Sequence, residues 1–257
     1  MNYFIEGLQG SGKSTLVNRL SEKNPNLRPV REGDYSPVEL SWCAYMDRAQ
    51  YGAALERYPD LRPAIEAKSS FEDDRVVVCY TKVRTDNRAF YVDLERYEIY
   101  NGRVPKDEFR RVILGRYEKW HGDNAIFECS LFQNIVEDML LFQCASDEEI
   151  VEFYREIGRV LADGDFRILY LQSDDIAGNI AAIRRERTDD QGNEVWFNLM
   201  LKFFNESPYA AKNGVAGESA LLEHFRHRQA LELRLCHELF PGRYTILQSK
   251  GYGDLEL

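Results

Sequence analysis

Gly7-Leu8-Gln9-Gly10-Ser11-Gly12-Lys13-Ser14 decides how this chain is read, because it fits G-x-x-x-x-G-K-[ST] in a context where that pattern has mechanical meaning. Apolar Tyr3-Phe4-Ile5 leads straight into it, and Leu16, Val17 and Leu20 follow at helical spacing, so a strand, a loop and a helix are expected in that order. Glycines at 7, 10 and 12 permit backbone conformations that a Cβ obstructs. They turn successive N–H groups inward around phosphate oxygens at the positive end of the following helix. Lys13 then reaches the β/γ-phosphates, and Ser14 offers its hydroxyl to Mg²⁺ with Thr15 beside it. The stretch therefore predicts binding of a nucleoside triphosphate.

Outward from the motif, the chain alternates. After a break at Asn24-Pro25, Leu27 to Arg31 predicts a short second strand, ending in the polar and aromatic loop Glu32-Gly33-Asp34-Tyr35-Ser36-Pro37. Loops at the carboxyl ends of strands are where open α/β sheets bind ligands, which makes Arg31, Glu32 and Asp34 candidate substrate contacts. Asp34 also suits a cap or turn role, the commoner use of a lone loop aspartate.

Residues 38 to 67 carry a helical pattern broken near Pro59 and Pro63. Residues from about 75 to 104 change period: β-branched Arg75 to Val83, an Arg84 to Arg88 turn, extended Ala89 to Val92, then Tyr97 to Tyr100 and Arg103-Val104 around Asn101-Gly102. Several short strands without helices between them predict an antiparallel insertion, a candidate substrate cover or partner surface. It leaves room for a homodimer.

Lys106 to Trp120 reads as helix, and Ala125-Ile126-Phe127-Glu128 as an apolar strand ending in a carboxylate. An acid there can hold metal-bound water or take a proton from an attacking hydroxyl. Ser146-Asp147-Glu148-Glu149 is a capping box opening another helix, and Phe166 to Leu171 is a further strand. Ser173-Asp174-Asp175 suits the start of the next helix better than a metal-binding acid pair. That helix ends in Ile183-Arg184-Arg185-Glu186-Arg187, running into a polar stretch to Gly192. Arginine's fork suits phosphate oxygens, so about 184 to 192 is a candidate lid, with Arg184, Arg185 and Arg187 as charge stabilisers in phosphoryl transfer. The segment after it, Val195 to Phe204, should pack the lid back onto the body. A loop is expected from Pro208 to Gly217, then a long helix and a last strand at Tyr244 to Leu247. His224 and His227 are too sparsely supported for a zinc site.

Taken together, these landmarks resemble the layout of P-loop nucleoside and nucleotide kinases of the thymidylate and deoxynucleoside kinase type. The resemblance rests on Gly7 to Thr15, Arg31-Glu32 after the second strand, Glu128-Cys129-Ser130 after the third, and the Arg184/Arg185/Arg187 cluster. It implies a three-layer α/β sandwich with a five-stranded parallel core in order 2-3-1-4-5, ATP-Mg²⁺ as donor and a small acceptor. It further implies Gly7, Gly10, Ser11, Gly12, Lys13, Ser14 and Thr15 at the nucleotide, Ser14 and Glu128 near the metal, and catalytic roles for Lys13, Glu128 and the three arginines. Two positions depart from the family's pattern: Cys129 stands where an arginine follows the acid, and Glu32-Gly33-Asp34 replaces a Pro-Gly-Gly continuation. The competing reading is a nucleotide-binding regulatory ATPase without a small-molecule acceptor.

Composition bounds the rest. The 257 residues suit one large α/β domain, with residues 1–257 expected to form a single P-loop domain carrying the insertion. A net charge of −10 leaves no general basic face, which disfavours a nucleic-acid partner. Five cysteines, odd in number and without a C-x-x-C pair, argue against a disulfide framework or structural zinc. With no signal-like start and no apolar run of membrane-spanning length, a soluble, cytoplasmic protein without a membrane partner is expected.

Overall fold

The protein is described from a computed structural model covering residues 1–251. In chain order its elements are β1 (Asn2–Gly7), α1 (Lys13–Lys23), β2 (Arg28–Val30), β3 (Ala44–Asp47), α2 (Arg48–Arg57), α3 (Arg62–Glu66), β4 (Ser69–Glu72) and β5 (Arg75–Val78). These are followed by α4 (Arg88–Glu95), α5 (Lys106–Lys119), β6 (Ala125–Glu128), α6 (Gln133–Leu141), α7 (Asp147–Val160) and β7 (Phe166–Gln172). The chain then runs through α8 (Ile176–Glu186), α9 (Val195–Asn205), α10 (Pro208–Asn213), α11 (Gly217–Leu239) and β8 (Tyr244–Gln248). Two compact units result: residues 1–29 with those from 121 onward, and residues 30–120.

The first unit is built on a five-stranded sheet in the order β2-β6-β1-β7-β8. Counting only its own strands this is 2-3-1-4-5, the order the resemblance implies. β1 lies at its centre, parallel to β6 (Tyr3 opposite Ile126) and to β7 (Phe4 opposite Ile168). Every residue of β1 is buried, as a central parallel strand covered on both faces requires. Alternation along it separates two packing layers. Tyr3 and Ile5 meet Leu16, Val17 and Leu20 of α1. Phe4 points the other way, stacking on Phe127 at 5.1 Å and edge-on to Phe166, which in turn meets Phe240 just past α11. Helices on both faces of one sheet give three α/β layers.

The second unit holds a separate antiparallel sheet, β3-β5-β4, with Ala44 opposite Val78 and Ser69 opposite Val78 on the other edge. Its core joins Met46, Tyr51, Leu55, Ile65, Val76, Val78 and Phe90.

Here the sequence expectation is corrected in detail. Residues 88 to 95 are helical rather than extended: Asn87 caps the helix by accepting the Phe90 N–H, and Phe90 and Leu94, four apart, are buried on one face. The extended runs expected at Tyr97 to Tyr100 and at Arg103-Val104 are turn and loop. The sheet draws its other strands from Ala44–Asp47, inside the stretch expected to be helical, and from Ser69–Glu72. Helix α2 starts only at Arg48, where Asp47 and Gln50 form a capping box. Within the first unit, α10 occupies part of the expected 208–217 loop, started by Ser207 accepting the Ala210 N–H with Pro208 at the first helical position.

Candidate functional site

The loop between β1 and α1 has the conformation its glycines predict, with φ of 133° at Gly7, 73° at Gly10 and 99° at Gly12. Gly12 is the N-cap of α1, so no side chain caps the helix, and its first turn, Lys13-Ser14-Thr15-Leu16, carries no acid. The positive end of α1 thus has no capping side chain and no acid in its own first turn, an arrangement that suits an anion. Ser11 is buried, and its backbone oxygen accepts from Ser249 Oγ at 3.0 Å, tying the loop to the end of β8. Thr15 is exposed.

Lys13 is 6% exposed and bends back over the loop, its Nζ donating to the carbonyls of Gly7 at 2.8 Å and Leu8 at 2.7 Å. An ammonium has three donors, so these two bonds aim it across the loop with one donor left for a ligand. Ser14 Oγ donates to Glu128 Oε1 at 2.5 Å. Residues 114 positions apart in sequence are thus brought together because β1 and β6 are neighbours in the sheet, which places the end of β6 beside the start of α1. A hydroxyl and a carboxylate side by side form a hard oxygen donor pair suited to Mg²⁺. Cys129, where the chain leaves β6, has φ 59°, and its N–H bonds the Ile5 carbonyl.

Helix α8 reaches the same loop. A Cβ on Gly10 would lie 1.7 Å from Ile183 Cδ1, so Gly10 is the gap into which the last turn of α8 packs. Arg184 follows Ile183 directly. Its guanidinium bonds Glu194 at 2.7 Å and Glu218 at 2.8 Å and lies 3.9 Å from the Phe197 ring centre. Arg187 lies over Trp196 at 4.9 Å. Arg185 extends from the same final turn of α8. As expected, Asp175 caps α8, accepting the Gly178 N–H.

Arg31, Glu32 and Asp34 belong to the second unit. There Asp34 Oδ2 accepts the Arg31 N–H at 3.2 Å, a turn role, while Oδ1 pairs with Lys82 Nζ at 3.2 Å. The turn role expected of Asp34 is therefore present, and its ion pair with Lys82 is an addition that the sequence did not indicate.

The structure adds a buried polar layer under the β1–α1 loop that the sequence did not single out. Glu6, on β1 immediately before Gly7, accepts the N–H groups of Leu131 and Gln133, and burial pushes its carboxyl up to about 7. Arg228 of α11 is fully buried and donates to Gln9 Oε1 of the loop at 2.6 Å and to Glu137 Oε2 of α6 at 2.7 Å. It also lies 3.2 Å from Glu232 one turn on, whose other oxygen accepts the Tyr170 hydroxyl. Burial alone would raise the Glu137 pKa; the charges of Arg228 and His224 outweigh it and hold the carboxyl down at about 2. The i, i+4 pairing of Arg228 and Glu232 was visible in sequence, but it looks the same as a solvated helix pair until its face is known to be buried.

The histidines are taken up by acids and a phenol: His224 by Glu137, His227 by Asp147 and His237 by Tyr244. Among the described residues no group of three or more His, Cys, Asp or Glu converges on one point, and no helix is long and apolar enough to cross a membrane. No protein-family model matches the chain, and comparison with curated proteins finds no match.

Proposed function

We propose that this chain is an ATP-dependent phosphotransferase, moving the γ-phosphate of ATP to a small-molecule acceptor in the manner of the nucleoside and nucleotide kinases its motifs resemble. The observation that carries the reading is the meeting of Ser14 with Glu128 beside an uncapped helix N-terminus, with Lys13 in the same turn. In this reading the loop amides and Lys13 hold the β- and γ-phosphate oxygens, the ammonium exchanging loop carbonyls for phosphate. Ser14 and Glu128 would hold Mg²⁺, which when bound neutralises charge on the phosphates.

Glu128 takes the proton of the acceptor hydroxyl as that oxygen bonds the γ-phosphorus and the bond from phosphorus to the β,γ-bridging oxygen breaks, releasing ADP. The three arginines act from the end of α8, whose Ile183 already rests on Gly10. Arg184 must give up Glu194 and Glu218 to reach a phosphate, so closure and charge stabilisation are linked. The net charge of −10 favours a small acceptor over a polynucleotide.

The test is paired. ATP with Mg²⁺ should raise the melting temperature, by the equivalent of about 2.7 kcal/mol at a hundredfold excess over Kd, and Lys13→Ala should abolish most of that shift. Glu128→Gln should keep ATP affinity while acceptor-dependent turnover, followed over a panel of nucleosides, nucleotides, sugars and amino alcohols, falls about 10²- to 10⁴-fold. No thermal shift with saturating ATP-Mg²⁺ removes nucleotide binding altogether. A shift without turnover on any acceptor leaves the regulatory ATPase instead.

A further inference from the structure

Cys43 and Cys79 are far apart in sequence and belong to no motif, yet the antiparallel sheet of the second unit sets them face to face. The last β3–β5 pair is Ala44 opposite Val78, so the next pair outward is Cys43 opposite Cys79. Neither amide donates to the other: the Cys43 N–H goes to Leu40 and the Cys79 N–H to Lys68. That is the non-hydrogen-bonded kind of antiparallel pair, in which opposing Cα atoms are about 4.5 Å apart and the side chains closest. A pair of that kind falls inside the window of about 4.4–6.8 Å between Cα atoms that a disulfide tolerates. The sulfurs already lie 3.7 Å apart, with the Cys43 S–H donating to Cys79 Sγ, and both are free thiols.

We propose that Cys43 and Cys79 are a peroxide-responsive dithiol that closes to an intramolecular disulfide across the β3–β5 edge. Cys79 is the attacking sulfur. The hydrogen bond from Cys43 lowers its pKa against the effect of burial, with Lys82 and Lys68 adding to the lowering and Asp34 opposing it. The same contact, with burial, raises the Cys43 thiol well above its usual range. In the first step the Cys79 thiolate attacks one oxygen of a hydroperoxide: an S–O bond forms, the O–O bond breaks, and the second oxygen leaves as alcohol or water after taking a proton. In the second, Cys43 sulfur attacks the sulfenic sulfur: S–S forms, S–O breaks, and the departing hydroxide takes the Cys43 proton to leave as water. Two electrons pass from the sulfurs to the peroxide.

The position gives the reaction a structural consequence. Cys43 Sγ lies 3.9 Å from the carbonyl oxygens of both Gly33 and Asp34, so closure removes the thiol proton that Cys43 shares between Cys79 Sγ and the loop bearing the candidate acceptor contacts.

The experiment needs no nucleotide and no acceptor, so its outcome is independent of the kinase reading. The full chain is treated with graded hydrogen peroxide, acid-quenched, alkylated and digested without reductant, and peptides are mapped by mass spectrometry. The expected result is a Cys43–Cys79 linked peptide, lacking the mass of two hydrogen atoms, forming before Cys144, Cys129 or Cys236 is modified. In Cys43→Ser, Cys79 should stop at the sulfenic acid and be trapped by dimedone, whereas in Cys79→Ser position 43 should stay unreacted. If the linked peptide does not form, or Cys144 oxidises ahead of the pair, the proposal is wrong. Should a variant not fold, the linkage map of the wild-type chain decides alone.

Discussion

A partly buried carboxylate of the parallel unit and two more deeply buried ones of the antiparallel unit differ in what they do with their charge. In the parallel unit, Glu137 meets buried Arg228 and His224 and keeps its charge, with its pKa held at about 2. In the antiparallel unit, Glu98 accepts from the Tyr80 hydroxyl at 2.6 Å and Glu39 from Ser41, and burial drives both up to about 7. A hydroxyl satisfies a carboxylate's lone pairs without neutralising its charge, whereas a guanidinium does both. Burial alone therefore does not decide charge state; the balance of burial against the partner's charge does, and at Glu232, raised even beside Arg228, burial wins. The parallel unit holds both kinds beneath its β1–α1 loop, Glu137 held charged beside Arg228 and Glu6 raised to about 7 among backbone amides, whereas Glu39 and Glu98 of the antiparallel unit are both raised to about 7.

The largest effect that would break this contrast is at Arg228. Replacing it with Leu leaves Glu137 and Glu232 facing each other without their cation, and the loss should be about 3–5 kcal/mol by chemical denaturation at pH 7. A variant as stable as wild type would mean the arginine is not what keeps Glu137 charged.

Next in size is a pair of pH dependences of opposite sign. The Glu98 carboxyl, at about 7 in the fold against an ordinary 4.5, holds its proton in the folded state through a window where the unfolded chain has lost it. Its stabilising contribution is complete below pH 4.5 and is lost as pH rises through 7. Glu98→Gln keeps an acceptor for Tyr80 and should be about 1–3 kcal/mol more stable than wild type at pH 8 and nearly equal to it at pH 4.5. Glu137, lowered to about 2, contributes stability that is present above 4.5 and lost as pH falls towards 2. Glu137→Gln should therefore be the less stable protein at pH 7 and converge with wild type in acid. Curves for wild type and both variants that stay parallel from about pH 2 to pH 8 would erase the difference between Glu137 and Glu98.

The smallest test sharpens the comparison by asking where the two units should be alike. Asp47 in one and Ser146 in the other each close a capping box, with Gln50 and Glu149. Alanine at either should cost about 1 kcal/mol, since capping is local and does not depend on the partner chemistry of the core. A markedly larger loss at Asp47 would show that β3 and α2 are coupled through that turn.

How far the chain can be read without its structure differs along it. The loop at Gly7 to Ser14 was legible because positive φ needs glycine and the residues that act together are neighbours in sequence. The capping box at Ser146 was legible for the same reason, and so was Asp175 as a cap. Residues 88 to 95 were not: in Arg88-Ala89-Phe90-Tyr91-Val92 two aromatics and a valine favour strand by composition, and only the cap at Asn87 with Phe90 and Leu94 buried together tips the segment into a helix. Strand β3 was hidden in a longer pattern, because Ala44-Tyr45-Met46-Asp47 owes its extended form to pairing with Val76 to Val78, far ahead in the chain.

By itself, then, the amino-acid order determined an α/β protein with a glycine-rich loop before its first helix, an acid ending its third parallel strand and arginines ending a later helix. Each of these is a short-range pattern whose physics is contained in adjacent residues. Only the tertiary structure decided that Ser14 touches Glu128, that Ile183 fills the space over Gly10, that Arg228 underlies Gln9 and that Cys43 faces Cys79. Those contacts join residues separated by tens to hundreds of positions, and their energies depend on burial and on the partner's chemistry, which exist only once strand order and register have been set.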